Sequence, residues 1–275
     1  MSDLEQTAIE RLKAASDMSL RLFEKPLMIT YSGGKDSDVM LHLAEKSGIP
    51  FEALHSLTTA DAPETVRHVY DTFRRLEEKG VKCTVDKHVQ PDGSRVTMWN
   101  LIPRKLIPPT RVVRYCCAEL KEGGGKGRFI ATGVRWAEST ARRKNRGGWE
   151  VLHSNRQKSL ILANENEEDR RLFEVCQMKG QRVVNPIIDW QDNDVLDYAA
   201  VEKISMNPLY CEGFHRVGCV GCPMAAKTRI FEFARYPEIK TAWIRSFDKM
   251  LIIRIERGLE TYSWRSGVDV FHWWM

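Results

Sequence analysis

The segment that most constrains this chain is Ser32-Gly33-Gly34-Lys35-Asp36-Ser37, because of what lies on either side of it. Before it runs Leu27-Met28-Ile29-Thr30-Tyr31, short and apolar enough to read as a buried strand. After it, Val39, Met40 and Leu43 share one face of a helical pattern over 36–46, with Gly48 as its stop. Strand, two-glycine turn and helix in that order bring backbone N–H groups and the positive end of a helix dipole to one point, as an anionic phosphate requires. The glycines let the backbone approach a ligand without Cβ clashes. Ser32 and Ser37 add hydroxyl donors, Lys35 adds a cation, and Asp36 can help place Mg²⁺.

The alternation continues. Residues 3–24 carry apolar positions at helical spacing, and Pro26 ends that pattern. Residues 51–57 read as a second strand, 63–79 as a helix closed by Gly80, and 81–88 as a further strand. Residues 129–134 and 183–188 read as later core strands, with Asp192 as the cap of a helix over 193–203. Helical patterns return at 228–235 and 237–257. Prolines 91, 103, 108 and 109 break up 90–128, and Gly123-Gly124-Gly125 marks a loop. Residues 135–158 read as basic and irregular, and 163–171 as acidic and exposed. Alternating strands and helices argue for an α/β fold, doubly wound around a mostly parallel sheet, with a small helical, cysteine-bearing C-terminal region. The expected division is an N-terminal helix at 1–25, the α/β domain at 26–204 and the C-terminal region at 205–275. No internal repeat is visible.

The 275 residues are 43% hydrophobic and 29% charged, which fits a folded, soluble core. No apolar run approaches the roughly 18–20 residues that cross a bilayer, and the N-terminus lacks a secretory pattern, so a cytoplasmic location is expected. Forty-two Lys and Arg against 37 Asp and Glu give a mild +5, compatible with phosphates or nucleic acid but not diagnostic.

Arg135 follows the strand at 129–134 at the edge where doubly wound sheets bind ligands, and its guanidinium matches phosphate oxygens. It is read as a phosphate contact, with Arg142 in support; Arg143, Lys144 and Arg146 read as a solvated basic face. Seven cysteines in a reducing compartment suggest metal or sulfur chemistry rather than disulfides. Cys219 and Cys222 have the C-x-x-C spacing that turns two thiolates toward one metal, and Cys116 and Cys117 can complete four ligands. Adjacent side chains diverge along a strand, so Cys116 and Cys117 need a turn or helix start to act together. Cys211 can substitute for one of them. Iron–sulfur, zinc and unligated thiols stay open; Cys83 and Cys176 read as packing residues.

The loop resembles the PP-loop of ATP pyrophosphatases and of the phosphoadenylyl-sulfate reductase superfamily, which has the adenine nucleotide alpha hydrolase-like fold. It is not the longer Walker-type loop. Five further stretches resemble that superfamily's pattern. They are Thr58-Thr59 with Pro63-Glu64-Thr65, Arg114-Tyr115-Cys116-Cys117 with Leu120-Lys121, and Thr132-Gly133-Val134-Arg135 with Glu138-Ser139 and Arg142. The last two are Asn185-Pro186-Ile187-Ile188-Asp189-Trp190 and Gly218-Cys219-Val220-Gly221-Cys222-Pro223. The resemblance implies ATP contacts from Tyr31, Ser32, Gly33, Gly34, Lys35, Asp36, Ser37, Thr58, Gly133, Arg135 and Arg142, with Lys35, Asp36 and Arg135 catalytic. It also implies a [4Fe–4S] site on Cys116, Cys117, Cys219 and Cys222, with zinc as the competing metal.

Two departures bear on activity. Reductases of this superfamily carry a nucleophilic cysteine in a C-terminal tail, and no cysteine follows Cys222 here. They also carry a degraded phosphate loop, whereas the full Ser-Gly-Gly-Lys-Asp-Ser form resembles the ATP-using members, among them DNA-phosphorothioation and other thiolation enzymes. The expectation is an enzyme that cleaves ATP between the α and β phosphates, adenylates an acceptor and passes sulfur to it, with ATP, Mg²⁺ and a sulfur-donor protein as partners. Nucleic acid is among the acceptors considered, and a homodimer among the assemblies. Two alternatives are a true sulfonucleotide reductase using Cys116, Cys117 or Cys211, and a nucleic-acid-binding accessory protein of a mobile-element or defence system. The basic stretch 135–158 and Trp149, Trp264, Trp273 and Trp274 motivate the latter.

Overall fold

The computed structural model describes residues 2–90, 92–121, 123–125, 127–152, 160–162 and 181–275. Cys176, the acidic stretch 163–171 and residues 153–158 of the basic stretch fall outside the described residues. The residues fold into two compact units that interleave along the chain. One comprises 1–55, 67–84 and 125–217, and the other 56–66, 85–124 and 218–275.

The first unit carries most of the sheet. Its strands are β1 (Leu27–Thr30), β2 (Phe51–Ser56), β3 (Cys83–Asp86), β4 (Phe129–Ala131), β5 (Trp149–Leu152), β6 (Leu160–Leu162) and β7 (Gln181–Val184), in the order β3-β2-β1-β4-β7-β5-β6. β1 pairs in parallel with β2 and β4, and β4 with β7, while β5 runs antiparallel to β7 and β6. The mostly parallel, doubly wound reading is thus borne out. Met28, Leu54, Ile130 and Val183, one from each of four adjacent strands, form a buried apolar row. Because β1 lies between β2 and β4, the chain leaves on one side and returns on the other. The carboxyl ends of β1 and β4 therefore flank a topological switch point.

Helices α1 (Ser2–Phe23), α2 (Lys35–Ser47) and α3 (Pro63–Glu78) agree with the periodicity to within a residue or two. Buried Arg11 of α1 forks onto Asp189 at 2.9 Å on both oxygens and donates to the Pro186 carbonyl at 2.7 Å. This anchors α1 to the turn after β7. The supposedly irregular 135–158 stretch contains a short helix, α6 (Thr140–Asn145), and β5. Its order comes from Glu150, fully buried, which accepts from Arg146 Nε (2.7 Å), Gly147 N (3.1 Å) and Asn185 Nδ2 (2.8 Å).

The second unit contains α4 (Met98–Lys105), α5 (Tyr115–Leu120), α8 (Arg229–Arg235), α9 (Pro237–Glu256) and α10 (Gly267–Trp274). Pro103 lies inside α4 instead of ending it. A proline has no N–H for the carbonyl four residues back, and here the Trp99 carbonyl accepts from Ser246 Oγ of α9 instead, at 3.0 Å. Trp99, Trp243, Phe247 and Trp274 stack into the core, with Trp243 and Trp274 centroids 4.5 Å apart. Trp149, Trp264 and Trp274 are buried; of the four tryptophans proposed as nucleic-acid contacts, Trp273 is exposed. Among the described residues, no helix is long and apolar enough to cross a membrane.

Candidate functional site

The loop after β1 takes its shape from Gly33, whose φ of +72° favours glycine. Ser37 Oγ sits at its centre, accepting from the Gly34 amide at 3.1 Å and the Ser32 amide at 3.3 Å and donating to the Gly34 carbonyl at 2.8 Å. The Lys35 amide, at the start of α2, donates to the Tyr210 hydroxyl at 2.9 Å. Fully buried Asn207 donates to the Gly33 carbonyl at 2.8 Å. Tyr210 and Asn207 belong to a short turn around Pro208–Tyr210, and sequence reading missed both. No local pattern marks them, because their partners lie 174 and 175 positions away.

Four charges meet beside the loop. Arg135, 1% exposed, donates through Nε to Asp36 at 2.7 Å, through Nη1 to the Trp190 carbonyl at 3.1 Å and through Nη2 to Asp192 Oδ1 at 2.7 Å. Lys35 Nζ reaches the same Asp192 oxygen at 2.7 Å and Asp36 at 3.5 Å. The two cations therefore converge on a single carboxylate oxygen. Lys35 foremost, then Arg135, pull the Asp192 carboxyl down to about 2. Asp192 does not cap its helix, as the sequence suggested: Gln191 is the cap and Asp192 is the first residue of α7 (Asp192–Val201).

Gly133, two residues beyond β4, packs against the backbone of Asp36, where an added Cβ would lie 3.2 Å from its carbonyl carbon and oxygen. Arg142 pairs with Glu138, whose Oε1 also accepts from the Arg135 amide at 3.0 Å. The Tyr31 side chain is buried, donating to Asp38 at 2.6 Å, and His68 reaches the same Asp38 oxygen at 2.9 Å. Burial, reinforced by Asp38, pushes the Tyr31 phenol well above its ordinary range. These three groups brace the first turn of α2 from within.

Among the described residues, the second unit holds Cys116, Cys117, Cys219 and Cys222. Cys116 and Cys117 open α5, so a helix start presents them together, as their adjacency required. A hydrogen bond with Cys116 first, and then Arg114, which donates to Cys117 Sγ at 3.3 Å, hold the Cys117 thiol below its ordinary range. Cys219 Sγ lies 3.2 Å from Thr58 Oγ1, and burial pushes this thiol up to about 11. Thr58 is thus engaged with a cysteine of its own unit. Cys219 and Cys222 lie within electrostatic reach of Cys116, but among the described residues no three His, Cys, Asp or Glu side chains are placed closely enough to hold a metal ion. Cys211 is exposed and belongs to the first unit.

The family model for the phosphoadenosine phosphosulfate reductase domain matches residues 26–225. The chain belongs to the phosphoadenosine phosphosulfate reductase family. This family is one of enzymes acting on adenine nucleotides in sulfur-related chemistry. Among relatives of this family member, sulfate adenylyltransferase subunit 2 of Streptomyces lavendulae is 33% identical over 210 residues, covering 68% of the chain and 57% of that protein. The chain thus spans little more than half the length of that relative. An uncharacterized 37.8 kDa protein of Escherichia phage 186 is 26% identical over 272 residues, covering 86% of the chain and 78% of the phage protein. Among solved structures, the phosphate complex of phosphoadenylyl-sulfate reductase from Candida auris covers 79% of the chain and 93% of its own at 15% identity, with a TM-score of 0.45.

Proposed function

We propose that this family member binds ATP at residues 32–37 and cleaves it between the α and β phosphates, adenylating an acceptor for sulfur transfer. One observation carries the reading: Lys35 Nζ and Arg135 Nη2 both stand 2.7 Å from one oxygen, that of Asp192. A point at hydrogen-bonding distance from two cations at the mouth of a two-glycine loop is an anion seat. The exposed Asp192 carboxylate holds it, and a phosphate oxygen can replace that carboxylate. The intact loop and a relative named as an adenylyltransferase support ATP as the source of the phosphate.

Lys35 and the loop amides then hold the outer phosphates, and Tyr210 yields the Lys35 amide. Arg135, buried and pinned by Asp36 and the Trp190 carbonyl, steadies the charge that builds on the α-phosphate in the transition state. An acceptor oxygen attacks the α-phosphorus, the bond to the bridging oxygen breaks, and pyrophosphate leaves with the electron pair; the acceptor hydroxyl's proton passes to solvent. The thiocarboxylate sulfur of a donor protein then attacks the adenylated acceptor carbon, AMP leaves with the electron pair of the carbon–oxygen bond, and water cleaves the acyl–sulfur bond to return the donor's carboxylate. Asp36 and Asp192 fit Mg²⁺, which takes one or two carboxylates plus phosphate oxygens and would neutralise charge on the leaving pyrophosphate. The cysteines do not fit a metal as placed. A [4Fe–4S] cluster or zinc on Cys116, Cys117, Cys219 and Cys222 requires a closer approach than the structure shows, and no step runs through one. Incubation with ATP and Mg²⁺ tests the reading: AMP and pyrophosphate are expected, and ADP with phosphate, or no turnover with any acceptor class, overturns it.

A further inference from the structure

Beside the anion seat, the first unit carries a cavity of about 610 Å³ between the stretch after β4 and the opening of α7. β4 and β7 are adjacent parallel strands, so the cavity lies at the carboxyl edge of the sheet, where doubly wound folds place ligands. Its wall includes Asp192, the residue that bridges Lys35 and Arg135. A molecule bound there is one side chain away from the seat of the phosphate.

The volume falls within the roughly 300–1,000 Å³ of small-molecule sites and would leave an inorganic anion swimming in water. The lining is mixed. Trp136 spends its indole N–H on the Arg146 carbonyl at 2.7 Å, so the ring contributes stacking surface rather than a donor. Arg143 is exposed and makes no ion pair among the described residues. It stands three positions after Thr140 on α6, which puts both on one helix face. Gln191 and Asn193 contribute amides. An aromatic ring, an uncommitted guanidinium, and amide and hydroxyl groups complement a base, a phosphate and a sugar.

We infer that this cavity seats the acceptor and that the acceptor is a nucleotide, either free or within a strand. The inference rests on the ATP-cleaving reading. The full chain, saturated with an ATP analogue bearing a methylene between the α and β phosphorus atoms, is titrated with UMP, CMP, GMP and mixed-sequence single-stranded DNA and RNA pentamers. At least one probe is expected to bind. Trp136→Ala is expected to weaken it about tenfold, the scale of one lost base–aromatic stack. Arg143→Gln is expected to weaken it several-fold and flatten its salt dependence. Trp136→Phe, which keeps a stacking ring, is expected to retain most of the binding and guards against a folding defect. Binding of mononucleotides indicates a free acceptor; binding of pentamers alone indicates a strand.

The inference is overturned if no probe binds the loaded chain, or if Trp136→Ala and Arg143→Gln both bind as the wild type does. It is also overturned if either variant loses the analogue, since the cavity would then belong to ATP itself. A wild type that takes the probes but not the analogue keeps the cavity and removes the ATP reading instead.

Discussion

Arg135 makes three donor contacts, to Asp36, the Trp190 carbonyl and Asp192, and the last of these partners is exposed. Replacing Arg135 with Gln is expected to lower the rate of ATP cleavage by about 10²–10³, the scale of one lost transition-state donor, as measured by single-turnover kinetics. Asp192 makes a second prediction. Its folded pKa, about 2, lies below the ordinary 3.8, so the bridge contributes above the ordinary value and is lost as pH falls through about 2. Carboxyl-carbon NMR titration is expected to give a midpoint near the lower value, and Lys35→Met to move it upward. A midpoint unmoved by that substitution would remove Lys35 as its main cause. Lys35, Asp36 and Arg135 were legible in the sequence because the glycine turn and the end of a core strand mark them locally. Asp192 was misread as a cap, and Tyr210 and Asn207 were missed, because their roles arise only when segments 157 to 175 positions apart meet.

The elements that periodicity describes well are those whose apolar positions repeat. β1, α2, β2 and α3 follow their patterns closely. The sequence failed where a tertiary partner supplies what the local sequence lacks. α4 survives Pro103 because Ser246 takes the orphaned Trp99 carbonyl, and β5 is ordered through buried Glu150. Ser246→Ala is expected to cost about 1 kcal/mol in urea denaturation, the value of one buried hydrogen bond. Gly221 is more demanding. Its φ is +79°, and an added Cβ would collide with the Phe233 ring. Gly221→Ala is expected to cost about 3 kcal/mol, combining overpacking with a left-handed backbone. A loss below about 1 kcal/mol would mean that Phe233 moves aside freely. The glycine inside the C-x-x-C stretch thus has a packing reason that the cysteine spacing alone did not reveal.

Across the whole molecule, the phosphate loop, Arg135 and Asp192 fall in one compact unit and four of the cysteines in the other. The linear sequence shows the two kinds of chemistry but not this interleaving, because the chain crosses between units several times and long-range packing decides each crossing. The mostly parallel sheet and family membership were legible from motif order. The central claim is that Lys35 and Arg135 seat a nucleotide phosphate that displaces Asp192. Equilibrium binding of ATP to the wild type, Lys35→Met, Arg135→Gln and Asp192→Asn tests it most directly, with Mg²⁺ omitted so that Asp192 acts only as a competitor. The account predicts binding weakened at least tenfold by either loss of a cation and tightened by Asp192→Asn; equal affinity in all four proteins would contradict it.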